Sequence, residues 1–240
     1  MTDTRPCIGL IVPPAAGLVP DDAQHLYGGR VRFIARGLGI GGVSPEGFQP
    51  VMHRIVDCAL ALKAAGAQAI SMMGTSISFY RGAALTEALR QDLEAATGLP
   101  CTTMSHAVVR ALKALGVQRV AVATSYIDEL NQRLVDHLTH EGLQVTAIQG
   151  LGITGVREVG EVTPQALIAL AQTVLAQDRS AQGVFISCGG LLTHDVIEPL
   201  EQLTGLPATA SSPAGFWDVM RVAGLDPQAT GFGRLFRPGA

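Results

Sequence analysis

Gly98-Leu99-Pro100, leading through Thr102-Thr103-Met104-Ser105 into a helical pattern that ends at Gly116, returns later in the chain. It does so as Gly205-Leu206-Pro207, leading through Thr209-Ala210-Ser211-Ser212 into a pattern that ends near Gly224, an offset of 107 residues. Upstream, Ala67-Gln68-Ala69-Ile70 and the run to Gly74-Thr75-Ser76 match Ala181-Gln182-Gly183-Val184 and the run to Cys188-Gly189-Gly190, at an offset of 114. The two offsets differ by a loop's worth of residues. The first strand, ending at Pro13-Pro14, corresponds likewise to Val120–Ala123, ending at Thr124-Ser125-Tyr126. Two related halves follow. The predicted fold is α/β, with two pseudosymmetric doubly wound parallel-sheet lobes: residues 1–105 with 212–240 in the first, and 106–211 in the second.

The local signals agree with that reading. Cys7–Val12, Ala69–Met73, Val120–Ala123 and Val184–Ser187 are short unbroken apolar runs, as expected of parallel strands covered by helices on both faces. Ser44-Pro45 and Thr163-Pro164 each set an N-cap hydroxyl before a proline at the first helical position, and predict helices to about Ala65 and about Gln177.

Composition narrows the partners. Hydrophobic residues make up 48% and charged residues 15% of the 240, against about 25% charged in an average domain, which suits a compact protein with a large core. Lys and Arg number 17 against 20 Asp and Glu, with no run of five like charges, so no nucleic-acid stripe or polybasic membrane patch is written here. No segment reaches the ~18 apolar residues of a membrane span. Cys7–Val12 is cut by Pro13-Pro14 and preceded by Asp3, a poor signal-peptide core. The expectation is a soluble, cytoplasmic protein that binds a small molecule. Cys7, Cys58, Cys101 and Cys188 stand far apart, with no C-x-x-C and no histidine at metal-ligand spacing, and read as reduced thiols.

Ligands of open parallel sheets sit outside the carboxyl ends of the strands. Two lobes about a pseudo-two-fold axis therefore face each other across a cleft lined by Pro14, Gly74-Thr75-Ser76, Tyr126 and Cys188-Gly189-Gly190. Gly74 and Cys188 are opposite numbers, so one wall carries a thiol and the other carries nothing. The two glycines after Cys188 expose its side chain and leave backbone N–H groups free for an anion. Cys7, Cys58 and Cys101 lack such punctuation and read as core. Thr75, Ser76 and Ser78 either converge on a carboxylate or cap the turn that they follow. Gly37-Leu38-Gly39-Ile40-Gly41-Gly42 satisfies G-x-G-x-x-G, with Asp57 twenty residues after Gly37. Its context does not suit a dinucleotide: the helix begins only at Pro45, and Asp57 falls mid-helix. His194 reads as a helix-start residue rather than a base.

At Gly74-Thr75-Ser76-Ile77-Ser78-Phe79-Tyr80-Arg81-Gly82 and Ser187-Cys188-Gly189-Gly190-Leu191-Leu192 the chain resembles the arylmalonate decarboxylases. The likeness extends to Ile11-Val12-Pro13-Pro14-Ala15-Ala16-Gly17-Leu18-Val19-Pro20, Leu151-Gly152-Ile153-Thr154-Gly155-Val156 and Ser211-Ser212-Pro213-Ala214-Gly215-Phe216-Trp217. The wider relatives are the aspartate, glutamate and hydantoin racemases and maleate isomerase, which carry a cysteine on each wall; Gly74 departs from that pair. The resemblance implies a carbon–carbon lyase that decarboxylates α-aryl or alkenyl malonates without metal or organic cofactor. Cys188 is then the acid. Thr75, Ser76 and Tyr126, with backbone N–H groups around Gly74, Ser76, Cys188 and Gly189, hold the enediolate. Pro14, Ile40, Val43, Ile77, Val156 and Val159 form the apolar pocket, and Phe48 and Val159 occupy positions where pocket side chains vary. The partner implied is a small dicarboxylate; the oligomeric state is left open, a monomer being allowed. A racemase or isomerase of the wider family is the alternative enzyme, disfavoured by the missing second cysteine. A non-catalytic carboxylate-binding protein is the alternative of another class.

Overall fold

The computed structural model describes residues 3–239. Eight strands form two four-stranded, wholly parallel sheets. The first contains β1 (Cys7–Val12), β2 (Arg32–Gly37), β3 (Ala69–Met72) and β4 (Cys101–Thr103), in the order β2-β1-β3-β4. The second contains β5 (Arg119–Thr124), β6 (Gln144–Gly150), β7 (Gly183–Ser187) and β8 (Ala208–Ala210), in the order β6-β5-β7-β8. The orders are the same, which makes the sequence repeat a structural one. The predicted two-lobed α/β architecture is the observed one.

Helices α1 (Asp21–Tyr27), α2 (Pro45–Phe48), α3 (Arg54–Ala64), α4 (Thr75–Phe79) and α5 (Ala83–Thr97) cover the first sheet or connect its strands. α6 (Met104–Ala114) follows β4; α7 (Asp128–His140), α8 (Val156–Gly160), α9 (Pro164–Gln177) and α10 (Ile197–Thr204) serve the second sheet; α11 (Ser211–Val222) follows β8. β1, β3 and β7 are buried throughout and β5 nearly so; of the edge strands, β2 and β6 are half-exposed, whereas β4 and β8 are buried against α6 and α11. α6 and α11, equivalent in the repeat, pack on one another between the sheets. α11 is buried from Ser211 to Met220, so the helix that begins at the cleft is also a core element.

Three local expectations need correction. The helix predicted from Pro45 to Ala65 is broken: α2 stops at Phe48, a 3₁₀ turn spans Gln49–Val51, and α3 begins at Arg54. Pro50 is the cause, because it has no N–H to donate and its ring crowds the carbonyl one turn back. Asp57 consequently lies in the first turn of α3 rather than mid-helix. Cys58 is half-buried on that helix, unlike the fully buried Cys7 and Cys101. The two N-cap readings hold: Ser44 accepts from the Gly47 N–H at 3.3 Å and Thr163 from the Ala166 N–H at 3.2 Å. The glycine motif serves packing, since a Cβ on Gly37 would strike the carbonyl oxygen of Pro14.

His137 on α7 is 3% exposed, stacks on Phe79 with ring centroids 6.0 Å apart, and closes no hydrogen bond at either ring nitrogen. Burial, helped by the charges of His106 and His140 and opposed by Glu141, lowers its pKa to about 4. In the unfolded chain the ring takes a proton near 6.5. Its contribution to stability is therefore complete above pH 6.5 and is lost as pH falls from there towards 4, by about 3 kcal/mol in all. Urea denaturation at pH 7.0 and 4.5 should find His137→Leu less sensitive to acid than the parent by about 2 kcal/mol. An identical acid sensitivity would show that this ring is not held neutral.

Candidate active site

The site forms where β1, β3 and β7 end. Pro13-Pro14 follows β1, Gly74 precedes α4, and Cys188 is the residue directly after β7. Between them lies a cavity of about 340 Å³ whose lining includes Cys188, Gly189 and the first residues of α4. Each first-turn N–H of a helix lacks an intrahelical partner, so α4 turns Thr75 and Ser76 towards the cleft with donors to spare. Of the residues expected at the site, Pro14, Ile40, Val43, Gly74, Thr75, Ser76, Ile77, Val156, Val159, Cys188 and Gly189 all line this cavity, as does Phe48.

Tyr126 does not. It is buried behind the wall, edge-on to Phe79, and its hydroxyl accepts from Ser187 Oγ at 3.2 Å. Burial, with the nearby Cys188 thiol, pushes the phenol far above its usual range, opposed by the hydroxyls of Ser187, Ser76 and Thr75. Tyr126 is thus a neutral phenol that touches the polar residues of the cleft from the rear. Ser78 also turns away from the cavity: its hydroxyl donates to backbone carbonyls of Gly74 and Thr75, both at 2.8 Å. His194 precedes α10 and stacks on His25, with ring centroids 5.3 Å apart.

Cys188 is the only described non-glycine residue with positive φ, at 145°. Such a conformation costs on the order of 1–3 kcal/mol and persists only where its surroundings enforce it. Here the Cys188 N–H donates to Ser211 Oγ at 3.1 Å. The same oxygen accepts from Thr75 Oγ1 at 2.7 Å, so one hydroxyl joins the two walls. Ser211 was not singled out as a site residue, although the repeat pairs it with Met104, whose sulfur also accepts from Thr75 Oγ1, at 2.9 Å. Sequence reasoning also missed Asp22 and Ser212, which line the cavity.

Cys188 is 7% exposed, and burial pushes the pKa of its thiol up, with the Ser125 hydroxyl, the Gly190 N–H and the Tyr126 hydroxyl pulling partly back. A thiol with a raised pKa stays protonated through neutral pH and can deliver a proton. Among the described residues, no group of three or more His, Cys, Asp or Glu side chains is arranged to hold a metal ion, and no helix is long and apolar enough to cross a membrane.

The class so defined is a two-lobed, pseudosymmetric α/β enzyme with one thiol on one wall of its cleft. The family model for arylmalonate decarboxylase matches residues 8–236. The curated arylmalonate decarboxylase of Bordetella bronchiseptica is 51% identical over 234 residues, 97% of each chain. A crystal structure of a liganded double variant of arylmalonate decarboxylase superposes with a TM-score of 0.94 at 50% identity, covering 96% of this chain and 98% of that one. The maleate cis-trans isomerase of Nocardia farcinica, at 23% identity and a TM-score of 0.88 over 97% and 98% of the two chains, shares the fold. This chain belongs to the arylmalonate decarboxylase family and is an enzyme, a carbon–carbon lyase.

The raised thiol pKa sets a test. Alkylation of Cys188 by iodoacetamide, followed peptide by peptide in a mass spectrometer, should still be accelerating at pH 9. A plateau below pH 8 would mean a thiolate already formed near neutrality.

Proposed function

We propose that this enzyme decarboxylates α-aryl, α-substituted malonates without a cofactor and protonates the resulting enediolate on one face, from Cys188. The observation that carries the reading is a thiol with a raised pKa, Cys188, at a cavity that it shares with five aliphatic side chains and with Gly74, its counterpart in the repeat. The aliphatic side chains of Ile40, Val43, Ile77, Val156 and Val159 receive the carboxylate that leaves. Desolvation there disfavours its localised charge relative to neutral CO₂. As the bond to CO₂ breaks, its electron pair spreads into the remaining carboxylate, and donors must already stand where the new charge grows. Ser76, the free N–H groups at the start of α4 and those after Cys188 supply them, with Thr75, bonded to Ser211, and Tyr126, one layer behind, holding these groups in place.

The intermediate is planar at its central carbon. Cys188 gives its proton to the near face, which leaves a thiolate that recovers a proton from solvent. Delivery from one side fixes one enantiomer. A second thiol on the facing wall would allow removal and return on opposite faces, which is racemisation; Gly74 supports decarboxylation instead. We further propose that residues 1–105 with 212–240 make one lobe and 106–211 the other. In support, α11 packs on β3 and β4, and Tyr27 Oη donates to the Pro227 carbonyl at 2.6 Å.

Incubation with α-methyl-α-phenylmalonate should release CO₂ at a rate that dialysis against a chelator leaves unchanged. Cys188→Ser keeps the volume but offers a far weaker acid, and should slow turnover by about 10²–10⁴-fold or more. Inertness towards such malonates would overturn the substrate class. A Cys188→Ser rate within about threefold of the parent would overturn the role of the thiol.

A further inference from the structure

One hydroxyl beside the reacting sulfur is idle in the resting enzyme. The pairing of β5 with β7 ends on Thr124 opposite Ser187, and the residues that follow are Ser125 on one side and Cys188 on the other. The ladder carries on for one more bond, from the Ser125 N–H to the Ser187 carbonyl at 3.4 Å. The Ser125 carbonyl in turn accepts from the Ile153 N–H at 2.8 Å, so its backbone is held from two directions. Ser125 is wholly buried, and its Oγ closes no hydrogen bond. Buried hydroxyls are rarely left in that state, because desolvating one without a partner is costly.

Side chains in register on neighbouring strands share a face, which puts the Ser125 hydroxyl on the side of the Cys188 thiol. Burial raises the pKa of that thiol, and of the groups that oppose the rise the Ser125 hydroxyl comes first, ahead of the Gly190 N–H and the Tyr126 hydroxyl. Among the described residues no charged side chain joins them, and Asp21 and Asp22 of α1 are the only other titratable residues that line the cavity. A neutral thiol is a weak acceptor, whereas a charged group makes a strong one. The partner that Ser125 lacks is therefore made by the reaction itself. When the S–H bond breaks, its electron pair stays on sulfur and the proton goes to the α-carbon of the enediolate; the Ser125 O–H keeps its own proton and turns onto the new charge. We propose that Ser125 is a donor held in reserve for the Cys188 thiolate, assisting delivery of the proton through a bond made only as the charge appears. Interactions that are stronger in the transition state than in the ground state are the ones that accelerate a step. The inference rests on the decarboxylase reading above and adds to it a residue that acts on the acid rather than on the substrate.

The test compares the parent with Ser125→Ala. Losing a hydrogen bond to the charged sulfur should leave about tenfold less thiolate at any pH below the thiol's pKa. The more basic sulfur is also the more nucleophilic, which offsets part of that loss. Alkylation of Cys188 by iodoacetamide at pH 8.5, followed in a mass spectrometer, should therefore slow by about threefold to fivefold. The kcat for α-methyl-α-phenylmalonate should fall by about threefold to tenfold, with KM within about twofold of the parent. The melting temperature should not fall, since the variant removes an unpartnered hydroxyl from a buried place. A merely structural serine would give a lower melting temperature and an unchanged alkylation rate, which overturns the proposal. An unchanged kcat overturns it as well. If the parent turns over no malonate, the decarboxylase reading fails by itself; the alkylation rate then decides the bond alone, and a rate within about 1.5-fold of the parent overturns it.

Discussion

One hydroxyl holds the cleft together. Ser211 Oγ accepts from Thr75 on one wall and from the backbone N–H of Cys188 on the other, at 2.7 and 3.1 Å. The second of these bonds fixes a residue whose φ of 145° an L-amino acid rarely adopts. Strain of that kind relaxes unless neighbouring bonds resist, and under the proposed mechanism a thiol that serves one face of a planar intermediate loses its aim if its backbone relaxes. Ser211 is itself fixed by position: it is the first residue of α11, buried between the sheets and packed on α6. The backbone geometry of Cys188 thus depends on the packing of the two pseudosymmetric helices.

The repeat also explains why the two walls differ. Met104 begins α6 as Ser211 begins α11, and both accept from Thr75 Oγ1. Thr75 is therefore gripped from both halves at once. At the repeat's counterpart of Cys188, a Cβ on Gly74 would come within 2.5 Å of Ile77 Cγ2, 3.0 Å of Pro13 Cγ and 3.2 Å of Met72 Cε. The space that a second thiol needs is filled by Ile77 together with Pro13 and Met72. Asymmetry of chemistry is built here by packing as much as by the loss of a residue.

The architecture was legible in the sequence because its signals are local and repeated. Apolar runs name buried parallel strands, and the two Gly-Leu-Pro segments fall at the same place in each lobe. Pro14, Gly74, Thr75, Ser76 and Cys188 followed from strand ends, whereas Ile40, Val43, Ile77, Val156 and Val159 followed from the family resemblance alone. Pro50 was visible, but the apolar pattern continues past it, so the break between α2 and α3 was read through. Ser211 was quoted in the repeat and still missed, because a serine at a helix start reads as a cap; here the side chain reaches across the cleft instead. Asp22 escaped for a related reason. An acid in a first helical turn has a ready explanation in the helix dipole, and nothing local in the sequence says that the fold buries this one against the cavity. Tyr126 was assigned to the cleft by homology of loops, yet it stands one layer behind, packed on Phe79 of α4 and bonded to Ser187.

The central claim is that a single thiol, delivered from one wall, decides the hand of the product. It is tested most directly by moving that thiol: Gly74→Cys combined with Cys188→Ser, with the α-aryl propionate product resolved by chiral chromatography. The account predicts the opposite enantiomer, made more slowly because Ile77 must give way. An active double variant that yields the parent's enantiomer would show that positions 74 and 188 do not face one carbon from opposite sides.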